Sequence, residues 1–135
     1  MENRLNELDN SQWLYWTNTI YETNFPPDST HRLRKTHGAM KPPELMAEIL
    51  AFFSKTGELI LDPFAGVGGT LLGALLTKRR AIGIELNPLW VKTFEELTAK
   101  FEVVDGMFVS KPAGRVSEVS NAAVQMRLGD CLEIM

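Results

Sequence analysis

Residues 58–70 do most to limit what this 135-residue chain can fold into. A short apolar run, Glu58-Leu-Ile-Leu-Asp62, stops at Asp-Pro and opens into Phe64-Ala-Gly-Val-Gly-Gly-Thr70. Glycines tolerate backbone conformations and close approaches that other residues do not, so the chain can turn sharply here from a strand into a helix. Thr70 to about Lys78 reads as that helix. Ala81-Ile-Gly-Ile-Glu85 is a second short strand ending in an acid. Asn87 and Pro88 supply the N-cap and first-turn proline of another helix. Its apolar stripe is Trp90, Phe94, Leu97 and Phe101, with Glu96 and Lys100 as a favourable surface pair. Val124 to Leu128 is a third strand, followed by Gly129-Asp130. Strand, glycine turn, helix, strand, helix, strand is the order of a right-handed parallel α/β unit. The expected fold class is therefore α/β, a partial parallel sheet with flanking helices.

The flanking segments are less regular. Residues 1–36 read as an irregular N-terminal arm containing Trp13, Tyr15, Trp16, Tyr21 and Phe25. These aromatics are expected to cover the sheet or pack on the first helix, in preference to stacking on bases. Pro42 and Pro43 open that helix, whose apolar positions Leu45, Met46, Ile49, Leu50 and Phe53 recur at helical spacing, and Gly57 reads as its left-handed cap. Residues 102–121, with Gly106, Pro112 and Gly114, read as an exposed connection. Arg32, Arg34 and Lys35 read as a small basic patch beside the entrance to the ligand site. Lys78-Arg79-Arg80 places cations at a helix end, where they complement the dipole.

Composition removes several function classes. Fourteen basic against seventeen acidic side chains, a net charge of −3, argue against binding nucleic acid by bulk charge alone. One cysteine, Cys131, excludes a disulfide framework and a cysteine-based zinc site and fits a reducing compartment, and two histidines are too few for a histidine-rich metal site. No apolar run approaches the roughly 20 residues of a membrane span. The N-terminal residues lack the apolar stretch of a signal peptide. The expected location is cytoplasmic.

Ligands of parallel α/β folds sit at the carboxyl ends of the strands. Asp62, the turn from Gly66 to Gly69, Glu85 and Asp130 occupy those positions. A phosphate-binding P-loop is excluded because the chain has no Gly-Lys pair. A dinucleotide fingerprint is disfavoured because Leu71 stands at its third glycine position. S-adenosylmethionine has no pyrophosphate; it needs a flat glycine turn and an acid after the second strand to take the ribose hydroxyls. Glu85 fits that role, although an acid there also serves NAD.

The same residues carry a family resemblance. Asp62-Pro-Phe-Ala-Gly-Val-Gly-Gly-Thr70 resembles the DPFxGSGTT cofactor motif of the amino-methylating DNA methyltransferases, the N6-adenine and N4-cytosine group. His37-Gly-Ala-Met-Lys-Pro-Pro-Glu-Leu45 is similar to the family's H-P-A-x-x-P-x-x-L segment, which closes over the methionine end of the cofactor. Gly83-Ile-Glu-Leu-Asn-Pro88 resembles the second motif, and Leu128-Gly-Asp-Cys131 the third. The resemblance implies a Rossmann-like methyltransferase core that binds S-adenosyl-L-methionine and methylates an exocyclic base amine of DNA, in a restriction-modification setting. It implies that Gly66, Gly68 and Thr70 hold the methionine end, with His37 and Lys41 beside it. By the same resemblance Glu85 takes the ribose, Asp130 the adenine, and Asp62 belongs to the cofactor site. Phe64 is expected over the cofactor or under the turn. Val67 and Gly69 replace a serine and a threonine of the family motif, which removes two hydroxyls. RNA guanine-N2 methyltransferases carry similar turns, so an RNA base methyltransferase is the alternative.

One family element is missing from this stretch. An exocyclic amine is a poor nucleophile, and the family positions it with a D/N/S-P-P-Y/F/W tetrapeptide whose aromatic ring stacks on a flipped-out base. Asn24-Phe-Pro-Pro27 has the wrong order, and Asn87-Pro-Leu-Trp90 lacks the second proline. No catalytic residue is therefore assigned. The expectation is a cofactor-binding part (residues 37–135), as a fragment or a split subunit, with DNA bound by the complete enzyme. A free sheet edge leads to an expected homo-oligomer or complementary catalytic polypeptide, and a non-catalytic cofactor-binding subunit is a further alternative.

Overall fold

A computed structural model describes residues 3–113 and 123–135. Three strands form a parallel sheet in the order β1-β2-β5: β1 (Leu59–Asp62), β2 (Arg80–Glu85) and β5 (Val124–Leu128). Leu61 pairs with Ile82, and Ile82 with Gln125, so all three strands point the same way. Helix α4 (Gly69–Leu76) connects β1 to β2, and α5 (Pro88–Lys100) follows β2. This is the mixed α/β architecture expected from the strand–turn–helix order.

Helix α3 (Pro43–Phe53) lies against α4. Their closest approach is at Gly73, where an added Cβ would stand 2.8 Å from the Ala47 backbone nitrogen. The core is filled by Leu50, Leu71, Leu72, Ala74, Phe94 and Leu97. On α5 the buried residues are Val91, Phe94 and Leu97. Trp90 is only half-buried, and Phe101 has left the helix for the next strand.

Several expectations need correction. Gly57 is left-handed, but α3 ends earlier, at Ser54; Gly57 instead serves the turn into β1, donating to the Lys78 carbonyl at 3.0 Å. The segment after α5, expected as an exposed connection, begins with a β-hairpin of β3 (Phe101–Val104) and β4 (Met107–Ser110). Asp105 and Gly106 both have positive φ, the requirement of a tight two-residue hairpin turn. The remainder of that expected connection, 114–121, lies outside the described residues.

The N-terminal arm holds two short helices, α1 (Asn10–Trp16) and α2 (His31–Arg34), and a 3-10 turn, Lys35–His37. A capping box fixes the start of α1: the Asp9 carboxylate accepts from the Ser11 and Gln12 amides, and Gln12 accepts from the Asp9 amide. Trp13 packs on Phe52 of α3 with ring centroids 4.9 Å apart, the packing role expected for it, whereas Tyr15 and Tyr21 are exposed. The expected basic patch does not form, because Arg34 is buried and paired with Asp28. Arg79 is buried as well; it donates to the Ser54 hydroxyl and carbonyl and to the Thr77 carbonyl. Among the described residues, no helix is long and apolar enough to cross a membrane.

Candidate functional site

The glycine turn is tied to the second strand at two points. The Ala65 amide donates to the Ile84 carbonyl at 2.9 Å, and the Gly66 amide donates to Glu85 Oε2 at 2.7 Å. The other carboxylate oxygen, Glu85 Oε1, accepts from the Asn87 amide at 2.8 Å. Each oxygen thus has one amide partner, and a carboxylate oxygen can accept two hydrogen bonds. The half-buried Glu85 keeps acceptor capacity toward the carboxyl end of the sheet.

Gly66 and Gly68 both have positive φ, 54° and 80°. A Cβ at Gly68 would stand 2.3 Å from the Phe94 ring, so the turn presses directly on α5. A Cβ at Gly66 would stand 3.1 Å from His37 Nε2. His37 meets Trp90 edge to face with centroids 4.8 Å apart, and its buried Nδ1 has no partner among the described residues. At Gly69, a Cβ would lie 3.1 Å from the Lys41 carbonyl oxygen. The segment His37–Lys41 therefore lies along the turn and touches it at both ends.

These contacts give physical reasons for the sequence departures in the turn. Val67 is 2% exposed and belongs to the core, and a side chain at position 69 would crowd the Lys41 backbone. Leu71, which breaks the dinucleotide pattern, is fully buried against β2. The relief for its bulk is on the strand side: a Cβ on Gly83 would stand 2.8 Å from Leu71 Cδ1. The close helix–strand approach is therefore made with a glycine in the strand and a leucine in the helix.

The remaining predicted residues are placed as follows. Asp62 ends β1 and accepts from the Phe64 amide at 3.0 Å. Asp130 caps the terminal helical turn Cys131–Ile134, accepting from the Leu132 amide at 2.9 Å. It follows Gly129, whose amide donates to the Glu85 carbonyl at 3.0 Å, so the ends of β2 and β5 meet there. Thr70 is half-buried in the first turn of α4, and Lys41 is exposed. Phe64 is 80% exposed, which answers one open point: its ring is not under the turn.

Sequence reasoning missed Trp90 as a neighbour of His37, having placed it in the core stripe of α5. It also missed an exposed apolar rim at the strand ends, formed by Phe64, Leu86, Leu89, Leu128 and Leu132. Leu86, directly after the strand-end Glu85, and Leu128, the last residue of β5, were the available signals. A separate cavity of about 360 Å³ lies between α5 and β5, lined in part by Thr98, Val124 and Met126. It contains none of the predicted site residues.

Comparison with known proteins identifies relatives of this chain. Over 58 residues the chain is 38% identical to the DNA adenine methyltransferase YhdJ of Escherichia coli, a match covering 43% of this chain and 20% of that protein. Over 129 residues it is 26% identical to the type II methyltransferase M.MthZI of Methanothermobacter thermautotrophicus, covering 94% of this chain and 31% of the relative. The type II methyltransferase M.HindIII of Haemophilus influenzae is 45% identical over 51 residues, covering 38% of this chain and 16% of the relative. The matched stretch thus spans under a third of each relative's length. No solved structure matches the chain. Residues 2–96, most of the chain, match the family model described as DNA methylase, of the N6/N4 type. With the glycine turn, the strand-end acid and the segment lying over them already in place, this match establishes that the chain belongs to the N6/N4 DNA methylase family.

Proposed function

We propose that this chain is the S-adenosylmethionine-binding part of a DNA methyltransferase that modifies an exocyclic base amine, N6 of adenine or N4 of cytosine. The observation that carries the reading is the Glu85–Gly66 hydrogen bond of 2.7 Å. It couples a left-handed glycine turn to an acid at the end of the adjacent parallel strand. In a Rossmann-like core that is where a nucleoside's ribose lies.

The residues present suit the cofactor. Glu85 retains acceptor capacity for two ribose hydroxyls. The Gly66–Gly69 turn carries no side chain except that of Val67, which is turned into the core. His37 Nδ1 is a buried polar atom in need of a partner. Gly66, Gly68 and Thr70, with His37 and Lys41 beside them, would hold the methionine end. Asp62 and Phe64 would border it, and Asp130 would face the adenine. When bound, the cofactor supplies an electrophilic methyl group on sulfonium. The chain's own residues bind and orient it, and the segment from His37 to Lys41 screens it from water.

This stretch contains no D/N-P-P-Y tetrapeptide, so transfer to a base amine is assigned to residues supplied by a complementary polypeptide or by a longer form of the chain. Adding a polypeptide that carries such a tetrapeptide, with labelled S-adenosylmethionine and DNA, is expected to yield N6-methyladenine or N4-methylcytosine by mass spectrometry of the digested DNA. Label incorporated only in a parallel reaction supplied with RNA would favour the RNA alternative. Binding of the cofactor without transfer in any combination would favour a non-catalytic subunit.

A further inference from the structure

We propose that Arg34 is a positioning residue of the cofactor pocket, closing residues 34–41 into a loop that seats His37 on Gly66 and the Lys41 carbonyl on Gly69. The inference rests on the cofactor reading above and adds a residue that lies outside its four motifs.

Arg34 is 1% exposed, although it belongs to an arm whose residues are mostly exposed. Its Nε donates to Thr30 Oγ1 at 2.9 Å, Nη2 to Asp28 Oδ2 at 2.9 Å, and Nη1 to the Lys41 carbonyl at 3.0 Å. Asp28 is itself held by the Thr30 amide at 2.7 Å and by the Thr30 hydroxyl. Burying a guanidinium is costly unless charge and hydrogen bonds are supplied, and breaking such a network leaves an uncompensated buried charge. Burial pushes the Arg34 pKa down, opposed chiefly by Asp28 and then by Glu44.

Two of the three bonds stay within the arm, and the third reaches Lys41. That residue immediately precedes Pro42-Pro43, where α3 begins, so its carbonyl is fixed between Arg34 and Gly69. In the middle of the loop, Gly38 is left-handed at φ 74° and ends the 3-10 turn, leaving the His37 ring between Gly66 and Trp90. The loop meets the pocket at two points, and Arg34 ties its ends together. Lysine carries its three donors on one nitrogen at the end of a flexible stem and cannot span acceptors met by three separate nitrogens of a rigid planar fork.

The test uses the whole chain as Arg34→Lys, Arg34→Met, His37→Ala and the Arg34→Met/His37→Ala double variant. Affinity for S-adenosylmethionine is measured by calorimetry, and stability by thermal unfolding. Both Arg34 variants are expected to weaken binding about tenfold or more at temperatures where circular dichroism shows them folded. The double variant is expected to bind no more weakly than the poorer single variant, because both changes undo the same placement. Unchanged affinity with a lowered Tm, or additive effects, would overturn the proposal and leave Arg34 a stability residue.

Should Arg34→Met fail to fold, Thr30→Val removes the Nε acceptor together with the hydroxyl bond to Asp28, leaves the Arg34–Asp28 and Arg34–Lys41 bonds, and is read by the same two criteria. A ligand-free readout accompanies these. In a Trp13→Phe, Trp16→Phe background Trp90 is the remaining tryptophan, and its emission should change in Arg34→Lys in the same sense as in His37→Ala. An unchanged emission would contradict the proposal. Failure of the unsubstituted chain to bind would overturn the cofactor reading itself and this inference with it, an outcome visible before any variant is made.

Discussion

Glu85 links two motifs that are separated in sequence but adjacent in space. Its side chain fixes the glycine turn through the Gly66 amide and the start of α5 through the Asn87 amide, while its backbone carbonyl accepts from Gly129. One residue therefore aligns the ends of all three strands. Gly68 shows how little tolerance the turn has. Adding a methyl group there would combine a positive φ of 80° with a contact of 2.3 Å to the buried Phe94 ring. Gly68→Ala is expected to destabilise the chain by about 3 kcal/mol, from left-handed strain and overpacking together. Urea unfolding measures this, and a loss below about 1 kcal/mol would mean that the ring moves aside at little cost. The acids at the other strand ends, Asp62 and Asp130, each accept a backbone amide two residues ahead, which builds the turns that carry the site.

At the scale of elements, the crossing of α3 on α4 decides where the His37–Lys41 segment can lie, because Lys41 directly precedes the prolines that open α3. Gly73 sets that crossing: a Cβ there would stand 2.8 Å from both the Ala47 nitrogen and Met46 Cβ. Gly73→Ala is expected to cost about 1–3 kcal/mol in unfolding experiments, since backbone cannot yield as a side-chain end can. It should weaken cofactor binding as well, because α3 would be displaced. Full stability with native affinity would contradict the packing described.

The elements around the glycine turn were legible because local chemistry decides them. β1, α4, β2, α5 and β5 begin and end within about two residues of their expected bounds, at Asp-Pro, at Asn-Pro and at strand-end acids. The β3–β4 hairpin was not read, although Asp105-Gly106 is a strong turn signal. Phe101 had been taken into the stripe of α5, which hid the start of the strand. Arg34 reads from sequence as part of a basic patch and Arg79 as a helix-end cation, since their burial depends on partners that only the tertiary fold brings together. Arg79 meets Ser54, twenty-five residues away, and Arg34 meets the Lys41 carbonyl across a loop. The same holds for the His37–Trp90 contact, which joins a loop to a helix.

For the molecule as a whole, the sheet leaves β1 paired on one side only among the described residues, with Leu59 and Leu61 more than half exposed. An uncovered edge with apolar side chains is a template for strand addition. The chain is therefore expected to self-associate or to pair with a complementary polypeptide. Light scattering should give a mass above that of one chain as concentration rises, and a constant monomer mass would count against this. The formal charge of −3 fits a part that holds the cofactor and leaves most DNA contact to other residues.

The central claim, that the Glu85–Gly66 junction is an S-adenosylmethionine site, is tested most directly by isothermal titration. The unsubstituted chain and Glu85→Ala are each titrated with S-adenosylmethionine, with NAD as control. Binding near 1 μM, about −8 kcal/mol, that is abolished in a folded Glu85→Ala variant is the predicted result. Preferential binding of NAD, or S-adenosylmethionine binding indifferent to Glu85, would contradict the account.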